Sequence, residues 1–193
     1  WPTYRDLIAV NVALDDQAAA LAVADRGLDI APTNTQLRLV KAQLLERQER
    51  YLDAIGEYET LISTNPSSLV AVNNLASLIA DHDGTPDRLA YALEISRPLR
   101  ADTNPVFLDT VGWVNYRMGN ANEAVPLLEQ AVRIARGEPR FAAQLPQLRY
   151  HLGMTYVELD QLDRARQELE EAVAGDAVEF VGIEEARATL SRL

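Results

Sequence analysis

The chain has 193 residues, 48% of them hydrophobic, a net charge of −11 and no cysteine. That is enough chain to bury a substantial core, and the missing thiols exclude disulfides and thiolate metal sites. The acidity argues against a nucleic-acid partner, which needs a basic face to displace phosphate counterions, and no apolar run approaches the roughly 18 residues of a membrane span.

Residues 15–34, DDQAAALAVADRGLDIAPTN, and residues 52–68, LDAIGEYETLISTNPSS, are helical runs. Each closes on a proline, Pro32 and Pro66, which stand 34 residues apart. Proline ends a helix because it lacks a donor and pushes the residue before it out of helical geometry. Within each unit an apolar or small residue precedes an alanine by twelve: Ile8 and Ala20, then Ala42 and Ala54. Small residues at fixed sites let two helix backbones approach closely. In the third unit Ala76 pairs with Ala92, a step of sixteen, so four inserted residues are expected at 81–90.

The fourth unit reads LDTVGWVNYRMGNANEAVPLLEQAV over 108–132, with Gly112, Ala124, Leu128 and Ala131 in phase. Asn120 to Asn122 read as its inter-helix turn, and Pro126 as a residue of the second helix's first turn. The fifth reads RYHLGMTYVELDQLDRARQELEEAV over 149–173, with Gly153, Ala165, Leu169 and Ala172. Gly112 and Gly153 are 41 residues apart, seven above the period, which places a second insertion around 136–147. Both insertions are expected to form loops. Residues 182–193 read as a short amphipathic helix that turns Ile183, Ala186, Leu190 and Leu193 toward the last repeat and Glu184, Glu185 and Arg192 toward water. Repeat arrays need such a cap. The N-terminal end shows no equivalent, and the chain starts at Trp1, so it reads as a fragment of a longer protein with self-association open to that end.

Each unit is therefore a pair of amphipathic helices, with apolar residues at the helical period. Arg149-x-x-Leu152-Gly153-x-x-Tyr156 followed by Ala165-x-x-x-Leu169 resembles the tetratricopeptide repeat, and so does Leu108-x-x-Val111-Gly112-x-x-Asn115 followed by Ala124-x-x-x-Leu128. The resemblance implies an all-α, right-handed superhelical solenoid of antiparallel helix pairs. It would hold about five repeats, over 1–34, 35–68, 69–105, 106–139 and 146–180, and a cap helix over 182–193, as a single domain. The last repeats also resemble those of long bacterial tetratricopeptide proteins linked to exopolysaccharide or surface-protein export. An envelope or periplasmic setting is expected over a cytoplasmic one.

No phosphate loop, dinucleotide fingerprint or nucleophile elbow is present, and the carboxylates fall on charged helix faces. His82 in DHDG reads as a turn residue, because the ligand register of a calcium loop is absent. His151 reads as a surface or groove residue. The expected function is non-enzymatic, without metal or cofactor. It is a scaffold that binds a protein or peptide, with a structural or oligomerisation arm of an envelope or export assembly as the alternative.

In arrays of the type it resembles, first helices line an inner groove. Carried onto this chain, the groove residues are Leu39, Gln43, Asn73, Asn74, Ser77, Asp109, Trp113, Tyr116, Arg117, Tyr150 and Met154. Aromatics supply contact area at low entropic cost, and Asn amides can hold a peptide backbone. Packing between neighbouring helices is the competing role for Trp113 and Tyr116. The basic clamp by which related chaperone-binding arrays grip a terminal carboxylate is missing, since its sites hold Leu39, Asn73, Asn74, Val106 and Thr110.

Overall fold

A computed structural model describes residues 2–175 and 179–193; Trp1 and residues 176–178, the latter inside the expected fifth repeat, lie outside the described residues. All regular structure among the described residues is helical. The chain packs as two units, Trp1–Asp83 and Gly84–Leu193. The first holds α1 (Pro2–Ala13), α2 (Gln17–Ile30), α3 (Thr35–Arg47), α4 (Tyr51–Thr64) and α5 (Leu69–His82). The second holds α6 (Pro86–Ile95), α7 (Pro105–Arg117), α8 (Ala121–Gly137), α9 (Leu145–Glu158), α10 (Leu162–Ala172) and α11 (Ile183–Leu190).

Local chemistry explains the boundaries. Asp16, Asn34 and Ser68 each accept a hydrogen bond from the amide three residues on, which satisfies an orphan donor at the start of α2, α3 and α5. The turns α1–α2, α3–α4, α7–α8 and α9–α10 share one geometry: three residues, with the middle one left-handed. Those middle residues are Asp15 (φ 57°), Glu49 (φ 58°), Gly119 (φ 80°) and Asp160 (φ 56°).

Packing in each unit follows the expected small-residue sites. In the first unit Ile8, Val23, Leu28, Leu37 and Leu44 form one core around Ala20 and Ala24. In the second, a Cβ on Gly112 would stand 2.6 Å from Leu128 Cγ, and one on Gly153 2.7 Å from Leu169 Cγ. These glycines sit where α7 meets α8 and α9 meets α10, and the leucine of the partner helix fills the space. The close approach is thus a property of repeat register, not of a reactive loop.

Three local expectations change. The insertion read at 81–90 is no longer loop: α5 ends at His82 and α6 starts at Pro86, the same three-residue connection as elsewhere. Leu89, not Ala92, takes the fourth position of its helix, where α2, α4, α8 and α10 have Ala20, Ala54, Ala124 and Ala165. The insertion near 136–147 is borne out in part: α8 is longer, and the seven residues 138–144, with a short 3-10 turn at Pro139–Phe141, join it to α9. Pro126 is the sixth residue of α8 rather than part of its first turn, and it is exposed.

The C-terminal helix behaves as a cap. Ala186 is buried, Ile183, Leu190 and Leu193 are half-buried, and Glu184, Glu185 and Arg192 are exposed. It packs on α9 and α10. Gly182 precedes it in left-handed geometry (φ 97°), and a Cβ there would stand 2.4 Å from the Tyr150 ring. Both constraints demand glycine.

Candidate interaction groove

In the first unit the first helices α1, α3 and α5 form a face with two adjoining pockets. An apolar pocket of about 230 Å³ lies between α1 and α3, floored by Ile8 and Leu44, walled by Val12 and Val40, and rimmed by Arg5, Gln43 and Arg47. A polar pocket of about 300 Å³ lies between α3 and α5, lined by Gln43, Glu46, Arg47 and Asn74. Gln43 and Arg47 line both, so the two adjoin across α3. Periodicity explains the sharing: residues four apart stack on one face of a helix.

The polar pocket has a fixed wall. The Tyr58 hydroxyl donates to Glu46 Oε1 and accepts from Asn74 Nδ2 at 2.8 Å. Asn73 Nδ2 donates to Asn74 Oδ1 at 3.2 Å. Tyr58 is fully buried, so its hydroxyl reaches the groove from beneath. Burial raises the Glu46 pKa above the ordinary 4.5, with the Tyr58 bond pulling the other way. Burial and Glu46 together push the Tyr58 phenol well above its usual range.

Glu46 thus carries a pH dependence with a definite sign. A folded-state pKa above the unfolded one means that folding favours the neutral carboxyl. Its contribution is complete below pH 4.5 and is lost as pH rises through the folded-state value. Glu46→Gln is neutral throughout. Urea unfolding across pH 4 to 7 is expected to show the variant gaining stability relative to the parent as pH rises. A constant difference between the two proteins would contradict the assignment.

Away from these two pockets, Lys41 of α3 ties α2 and α4 together and Arg38 of α3 binds α4. Lys41 Nζ lies 2.8 Å from Asp25 and 2.7 Å from Glu57, and Arg38 lies 2.5 Å from Glu57. Burial works against the Lys41 charge, but the bonds to Asp25 and Glu57 outweigh it and raise the pKa. Arg149 repeats the Arg38 arrangement in the second unit, 2.7 Å from Glu168, again nineteen residues on.

The expected groove residues divide sharply by exposure. Gln43 is exposed, and Leu39, Asn74 and Ser77 are half-buried on α3 and α5. Asn73 is buried, and the Asn74 amide is already engaged on both sides by Asn73 and Tyr58, so it orders the wall. In the second unit Trp113, Tyr150 and Met154 are 5%, 2% and 7% exposed and Asp109 is 5% exposed. Tyr116 is half-buried and Arg117 is exposed, its guanidinium 5.9 Å from the Trp113 ring.

These aromatics form a packed stack between α7 and α9. Trp113 lies 4.0 Å from His151 and 4.7 Å from Tyr116, nearly parallel to both, and 5.7 Å from Tyr150. His151 is buried at 3%, not on a surface or in a groove, and its Nδ1–H donates to Asp109, 2.9 Å from each oxygen. Tyr150 donates to Glu185 of α11 at 2.7 Å and meets Phe180 at 5.5 Å. Burial, then Glu185 and Glu158, raise the Tyr116 pKa. In the first unit His82 stacks on Tyr51 at 3.6 Å, which anchors the end of α5 to the start of α4.

Several groove residues escaped the sequence reading. Arg5 and Val12 carry no groove signal in the repeat pattern because the first repeat departs from the small-residue pattern at Ile8, whereas Val40 and Arg47 stand next to Leu39 and one turn after Gln43 on α3. The signal available was Arg5 and Arg47, two cations bracketing apolar positions in a strongly acidic chain.

Comparisons with known proteins agree with the helical-repeat fold. Residues 146–174 match the family model described as tetratricopeptide repeat. A TPR repeat-containing protein of Pseudomonas aeruginosa is 26% identical over 119 residues, which are 62% of this chain and 20% of that protein. The chain thus spans about a fifth of that relative's length. Among solved structures, a thermophilic TPR protein of Thermus thermophilus superposes with a TM-score of 0.70 at 19% identity, over 98% of this chain and 100% of the other. YrrB, described as a TPR protein with an unusual peptide-binding site, superposes with a TM-score of 0.67 at 13% identity, over 98% and 91%. At these identities the likeness to the solved structures concerns the fold.

Proposed function

We propose that this tetratricopeptide-repeat protein is a non-enzymatic scaffold whose first unit takes a peptide segment of a partner protein along α1, α3 and α5. The observation that carries the reading is the pair of pockets joined at Gln43 and Arg47. One is apolar and, at about 230 Å³, large enough for a side chain, and the other is polar and walled by the Glu46–Tyr58–Asn74 chain. Protein recognition of this kind needs an apolar anchor site beside polar groups that fix orientation. A fold built of tandem helix pairs suits such a role, and YrrB, an array of similar fold, is described as having a peptide-binding site. The aromatic stack of the second unit serves the scaffold, leaving Tyr116 and Arg117 as its accessible contribution.

Selecting a random peptide library on the 193-residue protein and mapping the winners by amide chemical shifts tests this. Shifts are expected at Ala9, Val40, Gln43 and Asn74. Peptides that move only amides of α7 and α9 would move the site to the second unit, and a library that enriches nothing would end the peptide reading.

A second reading rests on a different observation. Leu7 and Val10, 46% and 54% exposed on the side of α1 away from the apolar pocket, are continued by Leu14, 72% exposed in the turn that follows the helix. Such a stripe accords with an assembly arm in the bacterial envelope, where the chain would self-associate. Sedimentation across a wide concentration range tests it: a monomer throughout, unchanged by Leu14→Glu, removes that reading.

A further inference from the structure

We infer that the partner segment presents one large aliphatic or phenyl side chain flanked by carboxylates; this rests on the peptide-groove reading above and specifies its ligand. The size of the apolar pocket comes first. Its volume is about 230 Å³, and an apolar cavity of about 150 Å³ already admits a benzene ring. Its floor and walls are aliphatic throughout: Ile8, Val12, Val40 and Leu44. Among the described residues no carboxylate lines it, although the chain as a whole carries −11.

The charges at its rim are both positive. Arg5 comes from α1 and Arg47 is the last residue of α3. Both are exposed. Arg5 meets Asp6 only at 3.7 Å, with both side chains about two-thirds exposed, and Arg47 pairs with no carboxylate among the described residues. Two guanidiniums beside an aliphatic pocket in an acidic protein select against basic ligands and attract acidic ones.

Register sets the spacing. With a repeat of 34 residues, Arg47 stands eight positions further along its helix than Arg5 does along its own. At 1.5 Å of rise per residue their backbone positions are offset by about 12 Å along the helix axes. An extended peptide covers that distance in about four residues. The matching ligand therefore carries acidic residues two positions before and two positions after its anchor.

The peptide acetyl-Gly-Glu-Ala-Leu-Ala-Glu-Gly-amide, with analogues that replace both Glu by Gln or by Lys, tests this on the full 193-residue protein. The Glu peptide is expected to shift the amides of Ala9, Val12, Val40 and Gln43. It should bind about five-fold or more tightly than the Gln analogue at low salt, with the gap closing toward about 0.3 M. The double variant Arg5→Glu with Arg47→Glu should reverse the order of the Glu and Lys peptides. Ala9→Phe, at an exposed position of the rim, should remove binding of all three while the helical circular dichroism stays unchanged. Equal affinity of the Glu and Gln peptides at the same amides would overturn the acidic assignment and leave the peptide groove standing. If all three peptides leave α1 and α3 unshifted while library-selected peptides bind α3 and α5, the anchor-pocket assignment fails alone. If the selected peptides also miss this face, both readings fall.

Discussion

Replacing Trp113 by alanine is expected to cost the second unit about 3–5 kcal/mol, the range for deleting a buried tryptophan. The residue is 5% exposed, stacked on His151 and Tyr116, and tilted against Tyr150. Its removal opens a cavity between α7 and α9, the helices that hold the His151–Asp109 pair. Such geometry adds to area burial, since stacked aromatic pairs are worth about 0.5–1.5 kcal/mol beyond it. Amide exchange of α7 and α9 reads the loss in the unit concerned. Arg117→Ala is the contrast. Its guanidinium is exposed and 5.9 Å from the indole, so its loss should cost within about 1 kcal/mol. A Trp113→Ala cost below about 1 kcal/mol would contradict the packed stack. The consequence for function follows directly: a binding defect in Trp113→Ala would report unfolding, and only Tyr116 and Arg117 can probe this face cleanly.

Repeat register was legible because it is carried by steric necessity. Gly112 and Gly153 face Leu128 and Leu169 at under 3 Å from where a Cβ would be, so spacing alone located the helix crossings. The cap helix was legible from its amphipathic period, with Ile183, Ala186 and Leu190 set between charged residues. Exposure was not legible. Trp113 and Gln43 occupy the same repeat position, one after the small residue, yet one is buried and the other open. What differs is the neighbouring helix: α9 brings Tyr150 and His151 against Trp113, while the side chains near Gln43 leave two pockets. Hydrogen-bond commitment was equally hidden. Asn74 reads as a free amide until Tyr58, sixteen residues earlier, is seen to hold it. Insertions were legible only in part, because extra residues can enter a helix as length, as in α8, or its connection, as in 138–144, while the step of sixteen from Ala76 to Ala92 reflected a change of register position to Leu89.

Arg149 should be the second most costly truncation. Its side chain is 6% exposed and lies 2.7 Å from Glu168, itself 14% exposed, and 2.5 Å from the half-open Glu171. Removing one partner of a buried pair leaves a charge without compensation, at about 3–5 kcal/mol. Arg149→Leu is therefore expected to fall in that range. Glu171→Ala, at the exposed end, should cost about 1 kcal/mol or less. The repeat register supplies the decisive variant. In the first unit the same slot holds Arg38 and Glu57, and in the fourth repeat it holds Leu108 and Leu127, both buried. The slot thus accepts an ion pair or two leucines, but the mixed state pairs a carboxylate with a hydrocarbon. Arg149→Leu combined with Glu168→Leu should recover most of the stability lost by Arg149→Leu alone. Urea denaturation of the two single variants and the double gives the coupling between the sites. A double variant no more stable than Arg149→Leu would mean that the guanidinium acts through its own packing and not through its charge.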